Sequence, residues 1–218
     1  MKYRISEVFR SVQGEASHTG TPSAFIRLHG CSVGCPWCDT PYTWRDQVET
    51  ADFQALVEAS KEAAVVASAS VEMLCDWVAA QNVQHVVITG GEPLEQDLLP
   101  LVEALPFVVQ VETSGTVAAR PELARAVDWW TVSPKVGMPG GLAVQPEMLR
   151  LASEIKMPVS RDSDIETLKA LLLDARPGTP VWLQPLSLSK RATRLCVDAA
   201  GLNGWRVSLQ THKMAGMR

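Results

Sequence analysis

Cys31, Cys35 and Cys38 stand in one short loop, His29-Gly30-Cys31-Ser32-Val33-Gly34-Cys35-Pro36-Trp37-Cys38-Asp39. The C-x3-C-x2-C spacing supplies three thiolates and no fourth. Thiolate sulfur is the ligand of iron–sulfur clusters, and a four-iron cube takes four ligands. Three protein ligands therefore leave one iron open to hold a small molecule. Two other readings use the same residues. A structural zinc site needs four protein ligands, and His29 could be the fourth. A redox C-x-x-C would use Cys35 and Cys38 and leave Cys31 spare. The open cluster uses all three thiols and needs nothing else, so it is favoured. Cys75 and Cys196 lie in helix-like segments and read as small buried hydrophobes.

The second candidate is Gly90-Gly91-Glu92-Pro93, directly after an apolar run. Its glycines let backbone approach a ligand closely, and the exposed backbone edge could hydrogen-bond an amino group. A plain strand-to-helix turn, with Pro93 near the first helical position, explains the same residues.

The elements that must position these loops read as alternating strands and helices. Strand-like runs occupy residues 23–28, 85–89, 107–111, 129–132, 153–156, 181–184 and 206–209, and helical spacing recurs over 71–81, 96–104, 121–126, 164–174 and 190–200. Residues 63–70, rich in Ala, Val and Ser, read as the most loop-like stretch. Strand–helix alternation predicts an α/β fold with parallel strands, an abbreviated (β/α) partial barrel. The unusual residues then follow strand ends: the cysteines the first strand, Gly90–Pro93 the second, Glu112–Thr116 the third and Ser133-Pro134-Lys135 the fourth. Lys156-Met157-Pro158 closes the fifth, Gln184-Pro185 the sixth and Gln210–Lys213 the last. In a parallel barrel all such ends meet at one mouth, where active sites are built. Chance would scatter them over both ends, so an enzyme is favoured over a structural metal module.

Composition narrows the classes. The 218 residues fit a single domain over 1–218, 46% hydrophobic and 20% charged. A net charge of −4 makes no electrostatic case for nucleic acid. No apolar run reaches the ~18–20 residues of a membrane span, and the start lacks the apolar stretch of a signal peptide. The expectation is a cytoplasmic protein with reduced thiols.

The cysteine loop followed by Gly-Gly-Glu-Pro resembles the radical S-adenosylmethionine enzymes. In them three cysteines hold a 4Fe–4S cluster, the methionine amino and carboxylate groups of S-adenosylmethionine take the fourth iron, and a 5′-deoxyadenosyl radical removes a hydrogen atom from the substrate. Ser11-Val12-Gln13-Gly14-Glu15, Phe25-Ile26-Arg27, Cys38-Asp39-Thr40, Glu112–Thr116, Ser133-Pro134-Lys135 and Gln210-Thr211-His212-Lys213 are similar, within that group, to the 7-carboxy-7-deazaguanine synthase family. The resemblance runs almost from end to end. It implies a lyase that converts 6-carboxy-5,6,7,8-tetrahydropterin to 7-carboxy-7-deazaguanine with loss of ammonia, on the path to queuosine. It also implies Mg2+, a homodimer and an electron donor such as a flavodoxin or ferredoxin. A glycyl-radical-enzyme activase shares the cysteine spacing but leaves Gln13-Gly14-Glu15 and the Gln210–Lys213 ending unexplained. A zinc or iron–sulfur interaction module is the non-enzymatic alternative.

The resemblance also distributes roles. Cys31, Cys35 and Cys38 would hold the cluster, and Thr40 would contact magnesium; on its own Thr40 reads as a cap or turn residue. Trp37, Cys38, Asp39, Gly91, Ser133, Pro134, Lys135, Gln184 and Pro185 would contact S-adenosylmethionine. Val12, Gln13, Gly14, Arg27, Thr89 and the carboxylate of Arg218 would contact substrate, so a tag after Arg218 is expected to lower activity. The family usually has Gly where this chain has Ala16. Arg27 also speaks for itself: an arginine in an apolar strand needs an anion, and its fork suits a carboxylate. That anion is either the substrate or a neighbouring glutamate. Gln13 and Glu15 suit the amide and amino edge of a pterin, with a solvated loop as the alternative for Glu15. Lys156 is open between a site residue and a strand-edge lysine. His212 reads as ordering the C-terminal segment, while His18 and His85 carry no signal.

Overall fold

One curved sheet carries the whole architecture. The computed structural model describes residues 1–44, 48–59 and 64–217. Its strands are β1 (Lys2–Val12), β2 (Pro22–Leu28), β3 (Glu49–Ala51), β4 (Val65–Ser70), β5 (His85–Gly90), β6 (Val108–Thr113), β7 (Trp129–Val132), β8 (Glu154–Val159), β9 (Val181–Pro185) and β10 (Arg206–Val207). Its helices are α1 (Phe53–Glu58), α2 (Val71–Ala79), α3 (Leu99–Ala104), α4 (Pro121–Ala126), α5 (Pro146–Leu151), α6 (Asp162–Leu171), α7 (Lys190–Asn203) and α8 (Thr211–Met214). The sheet order is β10-β9-β8-β7-β6-β5-β2-β1-β4-β3. Among the described residues the edge strands β10 and β3 do not pair, so the barrel is partial and open.

The sheet is mixed rather than wholly parallel, because β1 runs antiparallel to both β2 and β4. Two of these three strands depart from the sequence reading. β1 does not show as a strand in the sequence because its register shifts between Ile5 and Glu7. Such a bulge breaks the period-2 alternation on which strand recognition rests. Residues 65–70, expected to be a loop, form β4, which pairs with β1 from Lys2↔Ser70 to Ile5↔Ala67. Short Ala and Ser side chains give little β-propensity, and the pairing with β1 supplies what the local sequence lacks.

The two faces of the sheet differ in chemistry. On the outer face Ile26, Leu28, Val86, Ile88, Val109, Val111 and Trp130 pack beneath α2, α3 and α4. Val132, Ile155, Met157, Val159 and Leu183 pack against α6 and α7. On the inner face Phe9, Phe25 and Val87 form a small apolar cluster. Much of the rest of that face is polar, with bonds between its own side chains. Gln110 Nε2 donates to Thr131 Oγ1 (2.7 Å), Thr131 Oγ1 donates to Glu154 Oε1 (2.7 Å), and Glu154 Oε2 accepts from the Ser17 amide (3.0 Å). Parallel strands covered on both faces read as continuous apolar runs. Here the alternation persists because one face lines a cavity.

Opposite the mouth, the β1–β2 connection plugs the barrel. His18 lies 4.7 Å from the His85 ring and 4.7 Å, edge-on, from Trp129. The His85 Nδ1 is hydrogen-bonded to Ser23 Oγ at 2.8 Å. Burial, and then the neighbouring His18, push the His85 pKa down to about 4. An unfolded chain takes up this proton near the ordinary pKa of about 6.5, whereas the folded chain resists it. The contribution of His85 to stability is therefore intact above pH 6.5 and is lost as pH drops from 6.5 towards 4. We expect this group to account for about 2–3 kcal/mol of the stability lost between pH 7.5 and 4.5, read from urea midpoints of the iron-free protein. The loss should be visibly smaller in His85→Asn; equal losses in both proteins would show that His85 is not the group responsible.

Candidate active site

The loops that follow β2, β5, β6, β7 and β9 meet at one end of the barrel, above the inner face, and enclose a single large pocket. Cys31, Cys35 and Cys38 all line it. Their loop is held from two sides. On one side lies the turn after β5. The Glu92 amide donates to the Gly30 carbonyl (2.8 Å), the Gly91 amide to the Leu28 carbonyl (3.1 Å), and Glu95 Oε1 accepts from the Ser32 amide (2.7 Å). Gly91 has no room for a side chain, since a Cβ there would stand 2.0 Å from the Gly30 oxygen. On the other side the Gly140 amide donates to the Val33 carbonyl (3.1 Å), and a Cβ on Gly140 would stand 1.8 Å from the Ser32 oxygen.

Glu92 itself is turned away from the pocket and is 1% exposed. It accepts from Thr113 Oγ1 (2.7 Å), the Ser114 amide (2.8 Å), the Leu94 amide (3.1 Å) and the Ser114 hydroxyl. Burial pushes its pKa up against these donors. Glu92 thus knots the end of β5 to the end of β6. The Gly-Gly-Glu-Pro segment is both the turn and the close-approach element between which the sequence leaves a choice.

The donor set suits a cluster better than a single ion. His29 does not line the pocket; its Nδ1 is hydrogen-bonded to Ser6 Oγ (2.9 Å) and it is buried, so it is not a fourth ligand. Among the described residues no three His, Cys, Asp or Glu side chains converge as one metal ion would require. Thiolates on one zinc, at about 2.3 Å each, must crowd within about 4 Å of one another, whereas cluster thiolates bind separate irons. Burial, followed by the other thiols, pushes the Cys35 pKa up to about 11 against the pull of the Lys135 ammonium. Burial raises Cys31 as well. Cys75, half-buried on α2, has its Sγ 3.8 Å from the Ala104 carbonyl, and Cys196 is fully buried in α7.

Beside the thiols stands a second group. Lys135 Nζ donates to the Ser133 carbonyl (2.8 Å) and hydroxyl (2.7 Å) and lies 5.6 Å above the Trp37 ring. Gly91, Gln184 and Pro185 line the same wall, but Pro134 does not. Asp39 binds Lys213 at 2.8 Å. Thr40 precedes the short 3-10 turn Pro41–Thr43, yet its side chain does not cap that turn. Its hydroxyl instead lies 3.7 Å from Cys38 Sγ, within the pocket.

The remaining wall comes from the barrel interior. Arg27 lines the pocket, and its Nε donates to Glu7 Oε2 at 2.9 Å. The neighbouring glutamate is therefore one anion it meets. The Tyr42 hydroxyl donates to the same oxygen (3.1 Å), and the guanidinium stands 5.7 Å from the Phe9 ring, which stacks on Phe25 at 4.8 Å. Among the described residues no hydrogen bond uses the two terminal nitrogens of Arg27, so they remain available to a carboxylate. Glu7 and Phe9 do not stand out in the sequence because β1 does not; their alternation along β1 is the signal that could have found them. Gln13 is mostly engaged internally, donating to Glu112 Oε1 (3.1 Å) and accepting from the Glu15 amide (3.1 Å). Val12 and Gly14 line the pocket through their position, and a Cβ on Gly14 would strike the His212 ring at 2.0 Å. Thr89 Oγ1 reaches Glu112 Oε2 at 3.4 Å. Arg218 lies outside the described residues, though Met217 lines the pocket.

Two expectations change here. β8 extends to Val159, so Lys156 lies mid-strand on the inner face rather than at a strand end. Glu15 is no solvated loop residue. It is paired with Lys156 and accepts from Gln210 Nε2 at 2.8 Å.

Residues 13–116 match the model of a 4Fe-4S single cluster domain. The chain is 45% identical to the 7-carboxy-7-deazaguanine synthase of Escherichia coli (strain K12), with 98% of each chain covered. It is 36% identical to the 7-carboxy-7-deazaguanine synthase of Pyrobaculum aerophilum, over 98% of this chain and 95% of the other. The crystal structure of QueE from Escherichia coli superposes with a TM-score of 0.86 at 43% identity, covering 96% of this chain and 94% of that one. The three-thiol loop braced by a glycine turn thus sits in a lineage matched from end to end, and the chain belongs to the 7-carboxy-7-deazaguanine synthase family.

Proposed function

We propose that this chain converts 6-carboxy-5,6,7,8-tetrahydropterin to 7-carboxy-7-deazaguanine with loss of ammonia. The observation that carries the reading is one pocket with three thiols at its mouth and the open fork of Arg27 on its inner wall. Cys31, Cys35 and Cys38 would hold a 4Fe–4S cluster. Trp37, Cys38, Asp39, Gly91, Ser133, Pro134, Lys135, Gln184 and Pro185 would seat S-adenosylmethionine. Pro134 enters through the backbone between Ser133 and Lys135, since it does not line the pocket. When bound, cluster and S-adenosylmethionine together supply one-electron chemistry that no side chain can.

The protein's own part is placement. Arg27 would take the substrate carboxylate on its terminal nitrogens, a charge-assisted pair. Val12, Gln13, Gly14 and Thr89 would fix the ring, joined by Arg218, which lies outside the described residues. The Thr40 hydroxyl, free of any capping role, is a hard oxygen suited to magnesium, which borrows its other ligands from water and substrate. A homodimer, a flavodoxin or ferredoxin as electron donor, and a cytoplasmic location complete the proposal. No helix among the described residues is long and apolar enough to cross a membrane.

The test is an anaerobic assay with the reconstituted protein, reductant, S-adenosylmethionine and carboxytetrahydropterin, with and without magnesium. The expected result is 7-carboxy-7-deazaguanine and ammonia in equal amounts. A brown, iron-loaded protein that gives neither would overturn the substrate assignment.

A further inference from the structure

Deep in the pocket, one ammonium stands between two carboxylates. Lys156 Nζ is paired with Glu15 and lies 3.4 Å from Glu112 Oε1. The Lys156 side chain is 6% exposed, that of Glu15 13% and that of Glu112 18%. Each arrives from a different element: Lys156 from β8, Glu112 from β6, and Glu15 from the connection after β1. Both carboxylates line the pocket, and each keeps neutral donors besides the lysine. Gln210 serves Glu15, while Gln13 and Thr89 serve Glu112.

We infer that Lys156 is a positioning residue that keeps Glu15 and Glu112 ionised and turned inward, so that the pocket accepts the donor-bearing edge of a 2-amino-4-oxopyrimidine ring. This rests on the substrate reading above. Two carboxylates facing one buried space cannot both stay charged without a cation, and would share a proton instead. Shared, they would offer a donor where the amino and ring N–H groups of the substrate need acceptors. The other charged and titratable groups around the three are Glu154, Lys135 and His212. Glu154 is occupied by Thr131 and the Ser17 amide, and Lys135 by Ser133. His212 is held against Gly14. The pairing agrees with the directions of Glu15 and Lys156: Glu15 is pulled below the usual carboxylate range by the Lys156 charge in spite of burial, and Lys156 is raised by Glu112 and Glu15.

The experiment compares wild type, Lys156→Met and Lys156→Arg in steady-state turnover across pH 5.5–9, with iron content and S-adenosylmethionine affinity measured on the same samples. Lys156→Met should raise KM for the pterin at least about tenfold while kcat changes less than about threefold, the pattern of lost ground-state binding. The acid limb of kcat/KM should move up by about one pH unit or more, because the required carboxylate charge is now lost at higher pH. Lys156→Arg should keep the acid limb near wild type. Iron content and S-adenosylmethionine affinity should not change. An unmoved KM and acid limb in folded Lys156→Met overturn the inference, as does a parallel loss of cofactor affinity. Should Lys156→Met fail to fold, Glu15→Gln with Lys156→Met restores charge balance and should fold; failure of that pair also overturns it. Absence of turnover in wild type sinks the substrate reading instead, which keeps the two failures apart.

Discussion

Replacing any one of Cys31, Cys35 or Cys38 by alanine is expected to abolish both the cluster and turnover. After anaerobic reconstitution the wild-type chain should carry about four irons and the visible absorption of a cluster; each variant should carry almost none and form no product. The effect should be complete because nothing nearby can substitute. Of the other ligand types in the loop, His29 is buried and bonded to Ser6, and Asp39 is paired with Lys213. Cys75 packs at the α2–α3 contact and Cys196 on the buried face of α7, neither in the pocket. Cys75→Ala and Cys196→Ala should therefore keep full iron and activity, with the buried Cys196 costing about 1 kcal/mol of stability at most. Iron analysis and absorption on all five variants check this. A retained cluster in any of the first three would mean that another side chain supplies a ligand, and would reopen the assignment of the loop.

The mouth of the barrel is legible in the sequence because its chemistry is local. Three thiols in eight residues, a Gly-Gly-Glu-Pro turn and Ser133-Pro134-Lys135 each follow an apolar run, and parallel topology carries all such ends to one side. The barrel interior is less legible, because there the site is made by strands whose signals are weak. β1 hides behind its bulge, and Glu7 and Phe9 hide with it. Lys156 reads as a strand-end residue because Pro158 argues against a continuing strand. In the fold Pro158 is tolerated: the β7–β8 ladder covers only Thr131↔Glu154 and Val132↔Ile155, so no donor to β7 is needed at Pro158. The strand runs on, paired with β9 as far as Val159. Arg27 shows the limit from another side. Its need for an anion is visible in one strand, but the glutamate that meets part of that need comes from a strand the sequence does not reveal.

Gly91→Ala is the second change expected to have a large effect, and it separates the bracing of the loop from its ligands. The new Cβ would lie 2.0 Å from the Gly30 oxygen, 2.6 Å from the Gly30 carbonyl carbon and 2.7 Å from Cys31 Cβ. Two of these are backbone atoms, so no side-chain rotation relieves the clash. The chain must part at the point where the Glu92 amide is bonded to the Gly30 carbonyl (2.8 Å). Overpacking of this kind costs about 1–3 kcal/mol or more, and the displaced segment carries Cys31, the first of the three thiols proposed to hold the cluster. A shift of about 1 Å in a positioned group can cost ~100-fold in rate. The expected outcome is a folded but less stable chain that binds substoichiometric iron and turns over at least about 100-fold more slowly. Gly201 provides the contrast. It lies within α7, where an added Cβ would meet nothing within 4 Å and φ is not left-handed, so Gly201→Ala should raise stability by about 0.5–1 kcal/mol and leave iron binding unchanged. Denaturant midpoints and iron content of both variants decide the matter. Full iron and wild-type turnover in Gly91→Ala would mean that the glycine turn does not hold the cysteine loop, and the loop's shape would have to come from the Gly140 side alone.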